Sequence, residues 1–420
     1  LRAAAAVVLS LTSLAAASAA LPAASRPNVL FIAVDDLNDW VGFLRGHPQT
    51  RTPNFDRLAA RGVVFANAQC AAPLCAPSRA AVFSGREPYR TGGYDNTSVD
   101  IRRLAPELVL LPAHFQAHGY RTFGTGKLLH EKRGGLFEQE FFPEQRWSPF
   151  DPKAVNYTPE ELPSKATLNP RHVTRLGPDA REVVLPLNRM PSDRRPHDPT
   201  GESFDWGPLD VPDELMGDTQ ITNWAVRHLA APQDRPFFLG VGFYRPHIPL
   251  FAPARYFAPF PPESIRLPPV QADDLDDLSV SARRIARDPV TAGAHASVLQ
   301  HRQWQAAIAA YLACIHYVDA EVGRLLDALD RGPHAANTVI VLWGDHGWHL
   351  GEKEHWGKWT GWERSVRVPL AIVPAARDRA KFATGRASAQ PVSLVDLYPT
   401  LVDYCGLPRP ATPLDGQSLL

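Results

Sequence analysis

The sequence predicts an α/β fold, a large and mostly parallel sheet sandwiched by helices. Three apolar runs, Val29 to Val34, Phe237 to Phe243 and Val339 to Trp343, have the length of strands and no polar break, which suits strands buried on both faces. Helical patterns lie between such runs, and strands alternating with helices are joined by crossovers that leave the strands parallel. With 420 residues, 45% of them hydrophobic and 21% charged, the chain has the material for a substantial core around one sheet.

Taken in order, the chain opens with Leu1-Arg2 and the small apolar run Ala3 to Ala17, followed by the small-x-small site Ala17-Ser18-Ala19. Residues 1–19 read as a secretory signal truncated at its start, because about fifteen alanine-rich residues are short for a membrane span. No later run is long and apolar enough to cross a bilayer, so the mature chain is expected to be exported without a span. Its destination would be a periplasm or the extracellular space, or a lysosome-like compartment in a eukaryote. After Val29 to Val34, bounded by Pro27 and Asp35, Thr52-Pro53 opens a helix that runs to Arg61 and stops at Gly62. Val63 to Phe65 reads as a short strand, Leu111 to His118 as a helix closed by Gly119, and Tyr120 to Gly124 as the strand after it. Trp304 to Leu329 is a long helical stretch, and Ser393 to Tyr404, closed by Gly406, is the last helix. Between 134 and 213 prolines and charges replace the periodic pattern, which predicts long surface loops shaping a substrate mouth.

The 44 basic and 44 acidic residues cancel, so nothing in the overall charge favours nucleic acid or an anionic membrane as a partner. Four cysteines, Cys70, Cys75, Cys314 and Cys405, are too few for a disulfide scaffold of this size. Cys314 falls in an apolar helical pattern and reads as an inert buried thiol.

Cys75-Ala76-Pro77-Ser78-Arg79 is the most informative segment. Pro77 suits the first turn of a helix, which would put Cys75 at the positive end, with Arg79 one turn on. An oxygen anion made or bound there would be stabilised. Asp35-Asp36 follows the first strand directly, and Gly344-Asp345-His346-Gly347 follows Val339 to Trp343 in the same way. Two strand ends would thus bring three carboxylates and an imidazole to the sheet edge where open α/β folds bind ligands. Oxygen donors dominate that set, which suits Ca²⁺ or Mg²⁺ better than zinc. Lys127 and His130 also follow a strand, as does His247 within Pro246-His247-Ile248-Pro249. Each alone reads as an exposed lysine or a hydrogen-bonded loop histidine; their shared placement is the signal. Lys358 lies in a mixed-charge loop, where a solvated face is the ordinary reading. Trp348 and the pair Asp95-Asn96 read as a packed ring and a turn before they read as sugar contacts.

Together these segments resemble the sulfatase family of the alkaline phosphatase superfamily, over nearly the whole mature chain. Gly344-Asp345-His346-Gly347-Trp348, Gly126-Lys127-Leu128-Leu129-His130 and Pro246-His247-Ile248-Pro249 are most similar to its iduronate-2-sulfatase-like branch. The resemblance implies an alkaline-phosphatase-like catalytic domain over 26–420, and a smaller C-terminal subdomain missing from this chain. It further implies that a separate maturation enzyme oxidises Cys75 to Cα-formylglycine, whose hydrate is the nucleophile. The cation, Ca²⁺ before Mg²⁺, would be held by Asp35, Asp36, residue 75, Asp345 and His346. Arg79 and Lys127 would hold the ionised diol, Lys358 the sulfate, His247 would protonate the leaving oxygen and His130 would deprotonate the second hydroxyl. The implied substrate is a sulfate ester on a sugar or uronic acid of a polysaccharide. A phosphodiester or phosphonate monoester hydrolase of the same superfamily and a non-catalytic exported glycan-binding homologue are the alternatives.

Overall fold

The first strand shows how the sheet is held. Val29, Phe31 and Ala33 point into one core, Leu30, Ile32 and Val34 into another, and all six are fully buried. This period-2 division makes the strand the shared wall of two hydrophobic layers. The computed structural model describes residues 26–97, 100–130, 134–143, 146, 148–150, 170–176, 181–190, 204–287 and 293–420. The signal segment expected over 1–19 and part of the 134–213 insertion lie outside these residues.

Among the described residues the central sheet has nine strands. In chain order they are β1 (Asn28–Val34), β2 (Val63–Gln69), β3 (Arg121–Gly126), β4 (Gln139–Phe141), β5 (Phe237–Phe243), β6 (Thr338–Gly344), β7 (Arg367–Val368), β8 (Leu370–Val373) and β9 (Arg386–Ser393). Across the sheet the order is β7-β2-β8-β6-β1-β5-β3-β4, with β9 paired to β2. The half containing β6, β1, β5, β3 and β4 is parallel, as expected. The other half is mixed: β8 runs antiparallel to both β6 and β2, β7 antiparallel to β2, and β9 parallel to β2. Helices α1 (Pro53–Ala60), α4 (Gly217–Ala230) and α5 (Trp304–Arg331) cover one face; α2 (Cys75–Ser84), α3 (Leu111–Ala117) and α6 (Leu397–Tyr404) cover the other. The last helix is shorter than its pattern, since Leu394–Asp396 forms a separate 3₁₀ turn capped reciprocally by Ser393 and Asp396. The expected surface loops are only partly loops: Val173–Leu176 pairs antiparallel with Arg181–Val184, and Trp206–Leu209 pairs with Leu250–Pro253. Among the described residues no helix is long and apolar enough to cross a membrane.

Layers are tied together by buried polar contacts as well as by packing. Thr52, at the N-cap of α1, makes no side-chain cap. Asp319 of α5 takes that role instead, accepting from the amides of Asn54 at 3.0 Å and Phe55 at 2.7 Å and from Asn54 Nδ2 at 2.9 Å. Burial pushes the Asp319 carboxyl up to about 7 despite these hydrogen bonds. A carboxyl whose native pKa is raised binds its proton more tightly folded than unfolded. Its contribution is therefore complete below about pH 4 and is lost as pH rises through 7. Asp319→Ala is expected to lower unfolding free energy by about 1–3 kcal/mol in urea titration. Asp319→Asn, which keeps an acceptor and cannot ionise, should cost less and should flatten the fall in stability between about pH 4 and about pH 7.

Candidate active site

β1 and β6 are parallel neighbours with Val34 opposite Gly344, so Asp35 and Asp345 leave the sheet side by side. The next residue, Asp36, adopts φ 57°, a left-handed conformation uncommon outside glycine. It is held there by hydrogen bonds on both sides: its amide donates to Asp345 Oδ1 at 3.0 Å, and its carbonyl accepts from the Tyr311 hydroxyl of α5 at 2.7 Å. At the end of β3, Gly126 turns at φ 71° and the Lys127 amide donates to the Gly242 carbonyl at 2.8 Å. A Cβ on Gly242 would lie 2.0 Å from the Lys127 carbonyl, so only glycine lets the lysine turn inward here. Cys75 is the first residue of α2, as the position of Pro77 predicts, and all ten residues of that helix are buried. No side chain at its N-cap position satisfies the free amides. Asn96 reaches back from the following loop, and its Oδ1 accepts from the Ala76 amide at 2.9 Å.

The charged side chains interlock. Arg79 donates through Nε to Asp345 Oδ2 at 2.7 Å, through Nη2 to Asp35 Oδ1 at 3.3 Å, and through Nη1 to the Lys127 carbonyl. Its guanidinium also lies 5.8 Å from the centre of the Trp343 ring. Lys127 Nζ is 2.5 Å from Asp35 Oδ2. Lys358 is buried rather than solvated, with Nζ 2.7 Å from Asp36 Oδ1, 2.9 Å from Cys75 Sγ and 5.4 Å from the Trp348 ring centre. His346 Nε2 is 3.2 Å from Cys75 Sγ while Nδ1 faces the Gly347 carbonyl at 2.9 Å. His247 Nε2 lies 3.8 Å from Asp36 Oδ2. His130 hydrogen-bonds the Cys75 thiol, and its buried Nδ1 has no hydrogen-bond partner.

Titration follows from these neighbours. Burial opposes ionisation of Cys75, but Lys127, Lys358, His346 and His130 outweigh it and hold the thiol well below its usual range. Burial likewise opposes the charge of Asp35, yet Lys127, His247 and Arg79 keep its carboxyl below the ordinary value. Asp345 is pushed up to about 6 by burial, against Arg79 and His346. Burial works against a charged His346, but Asp345 and Cys75 raise it to about 9. The other thiols differ: Cys70, Cys314 and Cys405 are free, buried and pushed upward by burial, so Cys314 is the inert thiol expected.

All ten residues singled out in the sequence thus meet at one edge of the sheet. Two sets of possible ligand atoms each lie within 4.8 Å of one another: Asp35, Asp36, Cys75 and His247, and Asp35, Cys75, Asp345 and His346. His247 enters the first set, beyond the ligands that the sequence suggests. The donor set fits a hard cation. Asp36 Oδ2 is buried with no hydrogen-bond partner, and the negative field that raises His346 would equally favour a metal ion. Trp348 is 1% exposed and packs under Lys358, so it is a packed ring and not a surface contact for a sugar. The Asp95-Asn96 pair is a turn, with Asp95 Oδ1 accepting from the Thr97 amide, but Asn96 has the capping role that the sequence did not reveal. Tyr311, and Ser78, whose Oγ donates to the Asp345 carbonyl at 2.5 Å, were also unmarked in the sequence.

A family model described as Sulfatase matches residues 27–407. A sulfatase of Formosa agariphila is 37% identical over 388 residues, covering 91% of this chain and 70% of that protein. Human iduronate 2-sulfatase is 30% identical over 427 residues, covering 91% of this chain and 70% of its own. Among solved structures, a phosphonate monoester hydrolase of Agrobacterium radiobacter superposes with TM-score 0.71 at 23% identity, covering 94% of this chain and 76% of that one, a likeness of fold.

The external cap on α2 is separately testable. Asn96→Ala leaves the Ala76 amide without its acceptor and is expected to cost about 1 kcal/mol, read as a lower urea midpoint, whereas Asn96→Asp should retain most of the stability.

Proposed function

The chain belongs to the sulfatase family and is a sulfuric ester hydrolase, and we propose that it acts on a sulfated sugar or uronic acid of a polysaccharide through residue 75 in its formylglycine form, with a bound calcium ion. The observation that carries this reading is the burial of Cys75 between two cations, Lys358 at 2.9 Å and His346 at 3.2 Å, with the His130 imidazole hydrogen-bonded beside it. Those surroundings favour an anion at position 75, whether sulfur or oxygen. The distances are those of the unconverted thiol.

The conversion supplies a hydrated aldehyde, one hydroxyl of which is a nucleophile toward sulfur while the other allows the sulfate to be expelled. A cation would be held by Asp35, Asp36, residue 75, Asp345 and His346 and would supply Lewis acidity there. The chain's own side chains do the rest. Arg79 and Lys127 fix the carboxylates and keep positive charge beside residue 75, and Lys358 presents an ammonium to the sulfate. His247 donates a proton to the departing oxygen, a step that matters most for a sugar alcohol, which is a poor leaving group. His130, with Nδ1 lacking a hydrogen-bond partner, takes a proton at residue 75. Support for a sugar substrate comes from the similarity to iduronate 2-sulfatase. Passage through the secretory route and a formylglycine-generating partner belong to the same proposal.

Two measurements decide it. Peptide mass across Cys75 is expected to be about 18 Da below the cysteine value, opposite in sign to ordinary thiol oxidation, and an unconverted residue would favour a glycan-binding role. Purified protein assayed side by side on sulfate esters, phosphodiesters and phosphonate monoesters should prefer the sulfates; dominant phosphodiester or phosphonate turnover overturns the assignment. Cys75→Ala should lower sulfate-ester turnover by about 10³-fold or more. In a separate experiment, calcium added to chelator-treated protein should stabilise it by about 2.7 kcal/mol at a hundredfold excess over its dissociation constant. Asp36→Asn should remove most of that shift.

A further inference from the structure

The turn that carries His247 is gripped from beneath by two buried side chains, Asp218 and Arg245. Asp218 stands in the first turn of α4 and is 1% exposed. Its Oδ1 accepts from the Tyr244 amide at 2.8 Å and its Oδ2 from the Arg245 amide at 3.0 Å, so one carboxylate fixes both amides where the chain leaves β5. Arg245, also 1% exposed, sends Nη1 to the carbonyl of His247 itself at 2.7 Å. Opposite charges on Asp218 and Arg245 attract across this turn. The turn is therefore held at its beginning by a carboxylate and at His247 by a guanidinium.

The ring of His247 inherits that fixation. Its Nδ1 lies 2.6 Å from the Ile248 carbonyl, so Nδ1 is the donor there, and Nε2 is directed toward Asp36 and the site, where it gives up a proton when the ring is the doubly protonated imidazolium. A proton donor to a leaving oxygen must be within hydrogen-bond reach at the moment the bond breaks, and small displacements cost rate steeply. Burial of two opposite charges beneath a surface turn is a costly way to obtain ordinary stability.

We infer that Asp218 and Arg245 are positioning residues which set His247 as the proton donor to the leaving group. This rests on the sulfate-ester reading and on His247 serving as its general acid. Their influence should accordingly be felt where the leaving group needs a proton and vanish where it does not.

The experiment compares kcat and KM of the full chain on 4-nitrocatechol sulfate, whose phenolate leaves readily, and on a uronate sulfate ester, whose alkoxide does not. Wild type, His247→Ala, Asp218→Asn and Arg245→Lys are measured on both. Asp218→Asn and Arg245→Lys are expected to lower kcat on the uronate sulfate by about 10-fold to 100-fold, within the range of general acid catalysis, with little change in KM. On the aryl sulfate the loss should stay below about 3-fold, and His247→Ala should show the same split more strongly. Because burial makes Asp218→Asn a risk to folding, Arg245→Lys, which keeps the positive charge but removes the guanidinium that reaches the His247 carbonyl, is the second arm. Circular dichroism and urea midpoints are recorded for each. Equal losses on both esters, or no loss while His247→Ala shows the split, overturn the inference. A His247→Ala enzyme without the split removes the proton-donor role and the inference with it. Wild type inactive on every sulfate ester tested overturns the sulfatase reading instead, which keeps the two failures apart.

Discussion

Arg79 is the interaction on which the rest of the site depends. Two parallel strands end beside each other, and each delivers a carboxylate to the same dry volume. Asp35 and Asp345 could not both ionise there unaided, since like charges in a low-dielectric interior repel strongly. A single planar guanidinium reaches both, and its remaining nitrogen takes the Lys127 carbonyl, so the ends of β1, β3 and β6 are joined through one side chain of α2. Removing such a partner leaves buried charges uncompensated, at a cost of about 3–5 kcal/mol. Arg79 is thus a structural cross-link, and its spacing of one helical turn from Cys75 places that thiol against the same acids.

Much of this could be read in the sequence, for a physical reason. Strands buried on both faces leave uninterrupted apolar runs, so β1, β5 and β6 announce themselves, and the polar residues just beyond each run are necessarily at the sheet's carboxyl edge. Asp35, Asp36, His247, Asp345 and His346 follow from that rule, since each comes within a few residues of the end of β1, β5 or β6. The mixed half of the sheet announces itself only at β2. β9 is Arg-Ala-Ser-Ala-Gln-Pro-Val-Ser, mostly exposed, with no apolar alternation and a proline within it, at a point where its pairing to β2 slips. β8 has only four residues, too few to show a period. Lys358 illustrates another limit. Its neighbours in sequence are charged or aromatic and predict a solvated loop, whereas the fold buries it against Asp36 and Trp348. Asn96 was illegible as a cap because the helix that it caps begins 21 residues earlier, at Cys75, and only the returning loop brings them together.

The site is built from both faces of the sheet. α2, on one face, supplies Cys75 and the Arg79 guanidinium; α5, on the other, supplies Tyr311, which holds Asp36 in its left-handed turn. The fold alone does not choose the reaction, since the same architecture hydrolyses phosphonate monoesters in the Agrobacterium radiobacter protein.

The burial of α2 also bears on the order of events in the life of the protein. Cys75 has no exposure, and every residue of its helix is covered by the sheet and its neighbours. An enzyme acting on the Cys75 thiol would have to reach an atom that the finished fold covers completely. Any such conversion must therefore be completed while the chain is still unfolded, so that folding acts as a deadline: a molecule that collapses too early seals in an ordinary cysteine for good.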